Sequence, residues 1–323
     1  MPLQRHGEPR STGLVFDSAF LLHDPGPTHP ESPDRYRALK KALQQGELAG
    51  RLKHLPGRMA GEEDLLLCHT RAYLSTVRHD IARHSPALST GDTGLSEKSL
   101  DVAMLAAGAA FAAVDAVMTG QVSNAFAAVR PPGHHATSSR GMGFCIFNNV
   151  ALAARHARKV HGVDRVLIVD WDVHHGNGTQ DIFYEDPGIF FFSTHQSPWY
   201  PGTGAFDEIG SGSGKGTTMN CPFHAGAGHA EIVGAFRRKL LPAMAAYKPD
   251  LVLISAGFDS RKGDPLGRFL LKDDDFRELT SIILEIADLS AHGRVVSLLE
   301  GGYSLAGLAA GVTAHVEALV GLV

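Results

Sequence analysis

Cysteine is scarce in this chain. Only Cys68, Cys145 and Cys221 occur among 323 residues. They are odd in number and form no CxxC pair. That excludes a disulfide framework or a four-cysteine zinc site and favours a reducing, cytoplasmic setting. Runs of like charge are also missing. With a net charge of −4, a sequence pI of about 6.5 and no long Lys/Arg stretch, neither nucleic acid nor an anionic membrane is an expected partner. No uninterrupted apolar stretch of a bilayer's length occurs, so no membrane span is expected. Residues 1–10 are polar without an apolar core, so no signal peptide is expected. No internal repeat is visible. The one linker-like stretch, Ser211–Gly216, is short enough to be a loop. The reading is one domain over residues 1–323, with 1–12 expected to be disordered.

What is present fits a soluble globular chain with a large core: 44% hydrophobic and 20% charged residues. Short β-branched or aromatic runs read as buried parallel strands over 13–17, 124–129, 165–170, 188–195, 250–256 and 294–299. Helical composition lies between them, over 97–118, 147–160, 230–246, 273–291 and 305–319. Strands alternating with helices give an α/β fold built on a central, mostly parallel sheet. In such folds ligands sit at the carboxyl ends of the strands.

The 18 histidines exceed ordinary usage, and several fall at those ends. One strand runs into Arg130-Pro131-Pro132-Gly133-His134-His135. Another runs into Asp170-Trp171-Asp172-Val173-His174, a third into Gly257-Phe258-Asp259, and a fourth into Glu300-Gly301-Gly302-Tyr303. Asp170, Asp172 and His174 alternate, which on an extended chain puts them on one face. Alone, the two aspartates would more simply cap the following turn. Beside the other three strand ends they read as a metal site, with Asp172 and His174 giving two ligands and Asp259 a possible third. A metal-bound water needs a base, and the His134-His135 pair follows a Pro-Pro-Gly turn that stiffens its backbone. Asp170 and Asn177 are candidate partners for the two imidazoles; an aspartate would favour a charged ring, an asparagine would not. Tyr303 follows two glycines and is suited to donate to an oxyanion, although a lone tyrosine is more often a core residue. Gly143-Phe144 and Trp199-Tyr200 are candidate tunnel walls for an aliphatic stem.

The strings HPESPDRYRAL (29–39), RPPGHHA (130–136), GFCIFNN (143–149), DWDVHHGNGTQ (170–180), SAGFDSRKGDPLG (255–267) and EGGYSL (300–305) resemble the zinc-dependent histone deacetylases, which have an arginase-like fold. The resemblance runs from about Leu14 to the C-terminus, and Trp171 and Asn177 resemble the class II members and their bacterial amidohydrolase relatives. It implies a zinc-dependent amidohydrolase acting on the acyl-lysine of a protein or peptide. Asp172, His174 and Asp259 would bind zinc. His135 would be general base and acid, with His134 as its electrostatic partner and Asp170 and Asn177 supporting the pair. Tyr303 would polarise the acyl carbonyl. Gly143 and Phe144 would line the tunnel, Trp199 or Tyr200 would supply its second wall, Asp92 would contact the substrate backbone, and Arg35 would lie near the acetate exit path. A potassium ion would be held by Asp170, Asp172, His174, Ser193 and Thr194, largely through backbone oxygens.

Three rival readings remain. Binuclear manganese ureohydrolases share the fold but need an Asp-x-His-x-Asp string, and Gly176 stands at its last position. A non-catalytic acyl-lysine reader would have lost catalytic groups that are all present. An acetylpolyamine or other small acylated amine is the stronger alternative. Polyamine-directed relatives carry Glu just after Gly-Asp-Pro, where this chain has Leu266.

Overall fold

The computed structural model describes residues 10–322. Most of the segment expected to be disordered, 1–12, therefore lies outside the described residues, but Thr12 is fully buried at the start of the first strand.

Eight strands form one sheet: β1 (Thr12–Val15), β2 (Leu52–Leu55), β3 (Asn124–Ala127), β4 (Val166–Asp170), β5 (Ile189–Gln196), β6 (Thr218–Phe223), β7 (Leu251–Ala256) and β8 (Val295–Leu299). Their order is β2-β1-β3-β8-β7-β4-β5-β6. Every pairing is parallel, so the sheet is wholly parallel rather than mostly so. The six expected strands are present with ends shifted by a few residues. Every residue of β3, β4, β5, β7 and β8 is buried. Both faces of these strands are covered by helices, which is why they read as near-continuous apolar runs rather than alternating ones.

The helix Ser99–Met118 is long and apolar enough on average to cross a membrane, although Asp101 and Asp115 interrupt its apolar run; 72% of its most apolar 18-residue stretch is buried inside the protein, where the helix packs against the Asn149–His161 helix and β3. It is a core helix, and its run of alanines allows close approach. The expected helix over 230–246 is interrupted. His229–Ala235 passes through a π-helical turn, Phe236–Leu240, into Leu241–Tyr247. Pro242 has no N–H to donate to the preceding turn, which accounts for the widened register. The Asn149–His161 helix has defined ends: the Asn148 side chain accepts from the Ala151 N–H, and Gly162 closes the helix in the left-handed conformation at φ 65°.

Four strands sit side by side in the middle of the sheet: β3, β8, β7 and β4. Register keeps their carboxyl ends level, with Ala127 opposite Leu298, Ala256 opposite Leu299 and Asp170 opposite Ser255. The four chemistry-bearing turns of the sequence therefore converge on one place.

Candidate active site

The aspartates after β4 hold their turn and build the site together. Asp170 Oδ1 accepts the Asp172 N–H at 3.1 Å, while its Oδ2 lies 2.9 Å from His134 Nδ1. Asp172 Oδ1 accepts the His174 N–H at 2.9 Å, and its Oδ2 accepts the Gly301 N–H at 2.9 Å. Asp259 Oδ1 accepts the Val173 N–H at 2.8 Å. In Asp170 and Asp259 turn-capping and site-building fall to different oxygens, whereas Asp172 Oδ1 does both. The chain bends after β4, so the three alternating residues divide: Asp170 turns to His134, whereas Asp172 and His174 meet Asp259.

One donor atom from each of Asp172, His174 and Asp259 lies within 4.8 Å of the others. His174 Nδ1 is 3.0 Å from Asp172 Oδ1 and 3.2 Å from Asp259 Oδ2. Asp259 Oδ2 is buried and accepts no hydrogen bond. Burial, and then the neighbouring Asp172, push Asp259 up to about 7. A buried carboxylate oxygen without a donor, beside a second carboxylate, is a place for a cation. The carboxylate and imidazole donors suit zinc. The backbone is built around them: a Cβ at Gly301 would fall 2.1 Å from Asp259 Oδ2 and 2.5 Å from Asp172 Oδ2.

The two adjacent histidines face different partners. His135 Nδ1 is 2.7 Å from Asn177 Oδ1, and the rings of His134 and His135 lie 4.0 Å apart. Burial works against a charged His134, but Asp170 and Asp172 hold it well above the ordinary histidine range. Burial, then the charges of His134 and His174, keep His135 well below that range. One ring is therefore a cation and its neighbour a neutral base near neutral pH.

A pocket of about 240 Å³ opens over this floor. Its lining is Asp92, His135, Gly143, Phe144, His174, Trp199, Tyr200, Leu266 and Tyr303. His135 is 3% exposed, whereas Trp199 and Tyr200 at the mouth are each 37% exposed. Every residue expected in the tunnel lines this pocket, and both candidates for the second aromatic wall are in it. Tyr200 stands at right angles to His135, 5.1 Å between ring centres. Gly143 adopts φ +56°, and a Cβ there would lie 2.2 Å from His135 Cδ2. Only glycine lets that loop pass so close to the imidazole. Asp92 Oδ1 accepts the Gly143 N–H at 2.7 Å and so fixes the loop. Leu266 is tied to the opposite wall, since Trp199 Nε1 donates to its carbonyl at 2.9 Å.

Arg35 is fully buried, with its guanidinium 5.0 Å from the Tyr303 ring centre and Nε donating to the Gly302 carbonyl at 2.7 Å. Ser193 pairs with Asp170 in the β4–β5 register, and the hydroxyl of the next residue, Thr194, is buried without a partner.

Two supports escaped the sequence reading. Glu300 is fully buried; its Oε2 accepts the Gly133 and His134 N–H groups at 2.7 and 3.2 Å, and its Oε1 accepts from Ser255 Oγ at 3.2 Å. Asp264 Oδ2 accepts the Tyr303 and Ser304 N–H groups at 2.7 and 3.0 Å. A glutamate ending an apolar strand was a signal for the first. The second is a tertiary contact with no local signature.

The family model described as Histone deacetylase domain matches residues 29–319. A histone deacetylase-like amidohydrolase of Pseudomonas aeruginosa is 38% identical over 314 residues, spanning 91% of this chain and 82% of its own. The human polyamine deacetylase HDAC10 is 42% identical over 326 residues, spanning 96% of this chain and 48% of its own. Among solved structures, the crystal structure of the HDA15 HD domain matches with a TM-score of 0.91 at 38% identity, over 97% of this chain and 90% of that one.

Proposed function

The chain belongs to the histone deacetylase family of amidohydrolases, and from that premise we propose that it is a zinc-dependent enzyme hydrolysing the amide of Nε-acyl-lysine in proteins or peptides. The observation that carries the lysine reading is Leu266 in the pocket wall. With Phe144, Trp199 and Tyr200 it gives an apolar passage suited to the methylenes of a lysine.

Asp172, His174 and Asp259 would hold the zinc. When bound, zinc supplies Lewis-acid polarisation of the acyl carbonyl and lowers the pKa of an attacking water. His135 takes the proton of that water. Its Nδ1–H is engaged by Asn177 Oδ1, which leaves Nε2 as the basic atom. His134 stays protonated against Asp170 and contributes its charge rather than its proton. Tyr303 donates its hydroxyl to the oxyanion formed as the carbonyl is attacked. His135 then returns the proton to the amide nitrogen as the C–N bond breaks, and a carboxylate and a free lysine amine leave. Arg35, behind Tyr303, borders the path for the carboxylate, and Asp92 at the mouth accepts from the substrate backbone. Asp170, Asp172, His174, Ser193 and Thr194 would hold a potassium ion, which would supply a fixed positive charge beside the catalytic residues. The chain acts as one catalytic domain, and its three buried free thiols suit a cytoplasmic setting.

One observation favours a second reading, an acetylpolyamine substrate: the 42% identity to human polyamine deacetylase HDAC10. Turnover on acetyl-lysine peptides, longer acyl-lysine peptides and acetylpolyamines separates the two, with Tyr303→Phe assayed alongside. Preferred cleavage of acyl-lysine, falling about 10²–10³-fold in Tyr303→Phe, is the expected result. A preference for acetylpolyamine would overturn the substrate assignment. Full activity in Tyr303→Phe would overturn its role.

A further inference from the structure

A second cluster of metal-type donors lies on the helical layer, away from the strand ends. Asp115 sits in the last turn of the Ser99–Met118 helix. His156 and His161 belong to the second half of Asn149–His161, which packs against it. Nε2 of His156 and Nε2 of His161 each lie 2.7 Å from the same oxygen, Asp115 Oδ1. The two rings stand at 76° with centres 5.9 Å apart. All three donor atoms fall within 4.8 Å of one another, as do those of Asp172, His174 and Asp259.

The surroundings hold this cluster in place. His156 is 5% exposed and lies against the Phe111 ring at 4.6 Å, with the Arg58 guanidinium 4.8 Å from the centre of that same ring. Arg58 in turn pairs with Asp64 at 3.1 Å. The other members open to solvent, with side chains 16% exposed at His161 and 38% at Asp115. An ion can therefore enter from one side onto a seat fixed from the other. The Asn149–His161 helix begins at the active-site loop, where Asn148 Nδ2 donates to the Ala136 carbonyl at 3.0 Å. The cluster occupies its second half, about 12 to 20 Å along the helix from Asn148 at 1.5 Å per residue.

We propose that Asp115, His156 and His161 form a second metal site, which takes one zinc-class divalent ion and clasps the Ser99–Met118 and Asn149–His161 helices together. Two imidazole nitrogens and one carboxylate oxygen are a donor set of borderline softness, suited to zinc rather than to calcium or magnesium. Water completes the coordination. The ion takes no part in amide hydrolysis; it ties two helices that otherwise meet mainly through apolar packing.

The test is zinc stoichiometry. The full chain, freed of metal with a chelator and dialysed, is titrated with zinc chloride alone, as are His161→Ala and Asp115→Asn. His161 is the more exposed of the two histidines, and Asp115→Asn keeps the side-chain shape, so a folded variant is in hand even if one of them fails. Two equivalents are expected for the parent and one for each variant, with amide hydrolysis by the zinc-loaded variants unchanged. The rise in melting temperature on adding the second equivalent should vanish in both. Variants that bind as many equivalents as the parent would overturn the proposal and leave a carboxylate bridging two imidazoles, whereas one equivalent in the parent and none in the variants would count against the catalytic zinc site and not against this one.

Discussion

His135 Nδ1 lies 2.7 Å from Asn177 Oδ1, so the neutral imidazole of the site is oriented by a partner that carries no charge. His134 is oriented in the same way by Asp170 at 2.9 Å. Asp170 and Asp172 hold His134 charged, while burial and the charges of His134 and His174 keep His135 neutral, with no carboxylate at its Nδ1 to offset them.

Asn177→Asp should erase much of that difference. A carboxylate beside Nδ1 favours the charged form of His135 and should raise its pKa by about one to three units. Because the base acts when neutral, the acidic limb of the kcat/KM–pH profile should move upward by the same amount. A profile that does not move would contradict the assignment of His135 as the base.

Glu300 links the site to stability. Burial pushes its folded pKa up to about 7, despite the opposing charge of His134. A raised folded pKa means that the native state binds the proton more tightly than the unfolded chain. Its contribution is therefore full below the ordinary glutamate range and lost as pH rises through about 7. Glu300→Gln cannot titrate. In the chelator-treated chain, the fall in melting temperature between about pH 5 and about pH 8 should be smaller in the variant than in the parent. An equal fall in both would contradict this.

The sheet's centre was legible in the sequence and its rims were not. The two strands missed, β2 (LKHL) and β6 (TMNCPF), are the two edges of the sheet. Each has one neighbour and less need for apolar residues. Two residues of β2 are exposed, and β6 tolerates Pro222, as edge strands do. The site was legible for a related reason. Its residues follow buried strands directly, so short strings carry both position and chemistry. Glu300 was overlooked beside Tyr303, although both stand in one string. Asp264, and the pairing of Asp115 with His156 and His161, depend on segments brought together only by folding, and no local spacing announces them.

Leu266→Glu should move the substrate preference. A carboxylate in the pocket wall would meet the second ammonium of a polyamine and would be poorly placed against an apolar lysine stem. The ratio of kcat/KM for acetylpolyamine over acetyl-lysine peptide should rise by at least about tenfold. An unchanged ratio would show that this position does not set the preference.

The most direct test is zinc content and turnover in Asp259→Asn, which keeps the side-chain shape while removing the charge of a carboxylate whose buried oxygen has no donor. One equivalent of zinc fewer than the parent, with kcat/KM lower by at least about 10²-fold, is the expected result. Parental zinc content together with parental turnover would contradict a zinc-dependent site built on Asp172, His174 and Asp259.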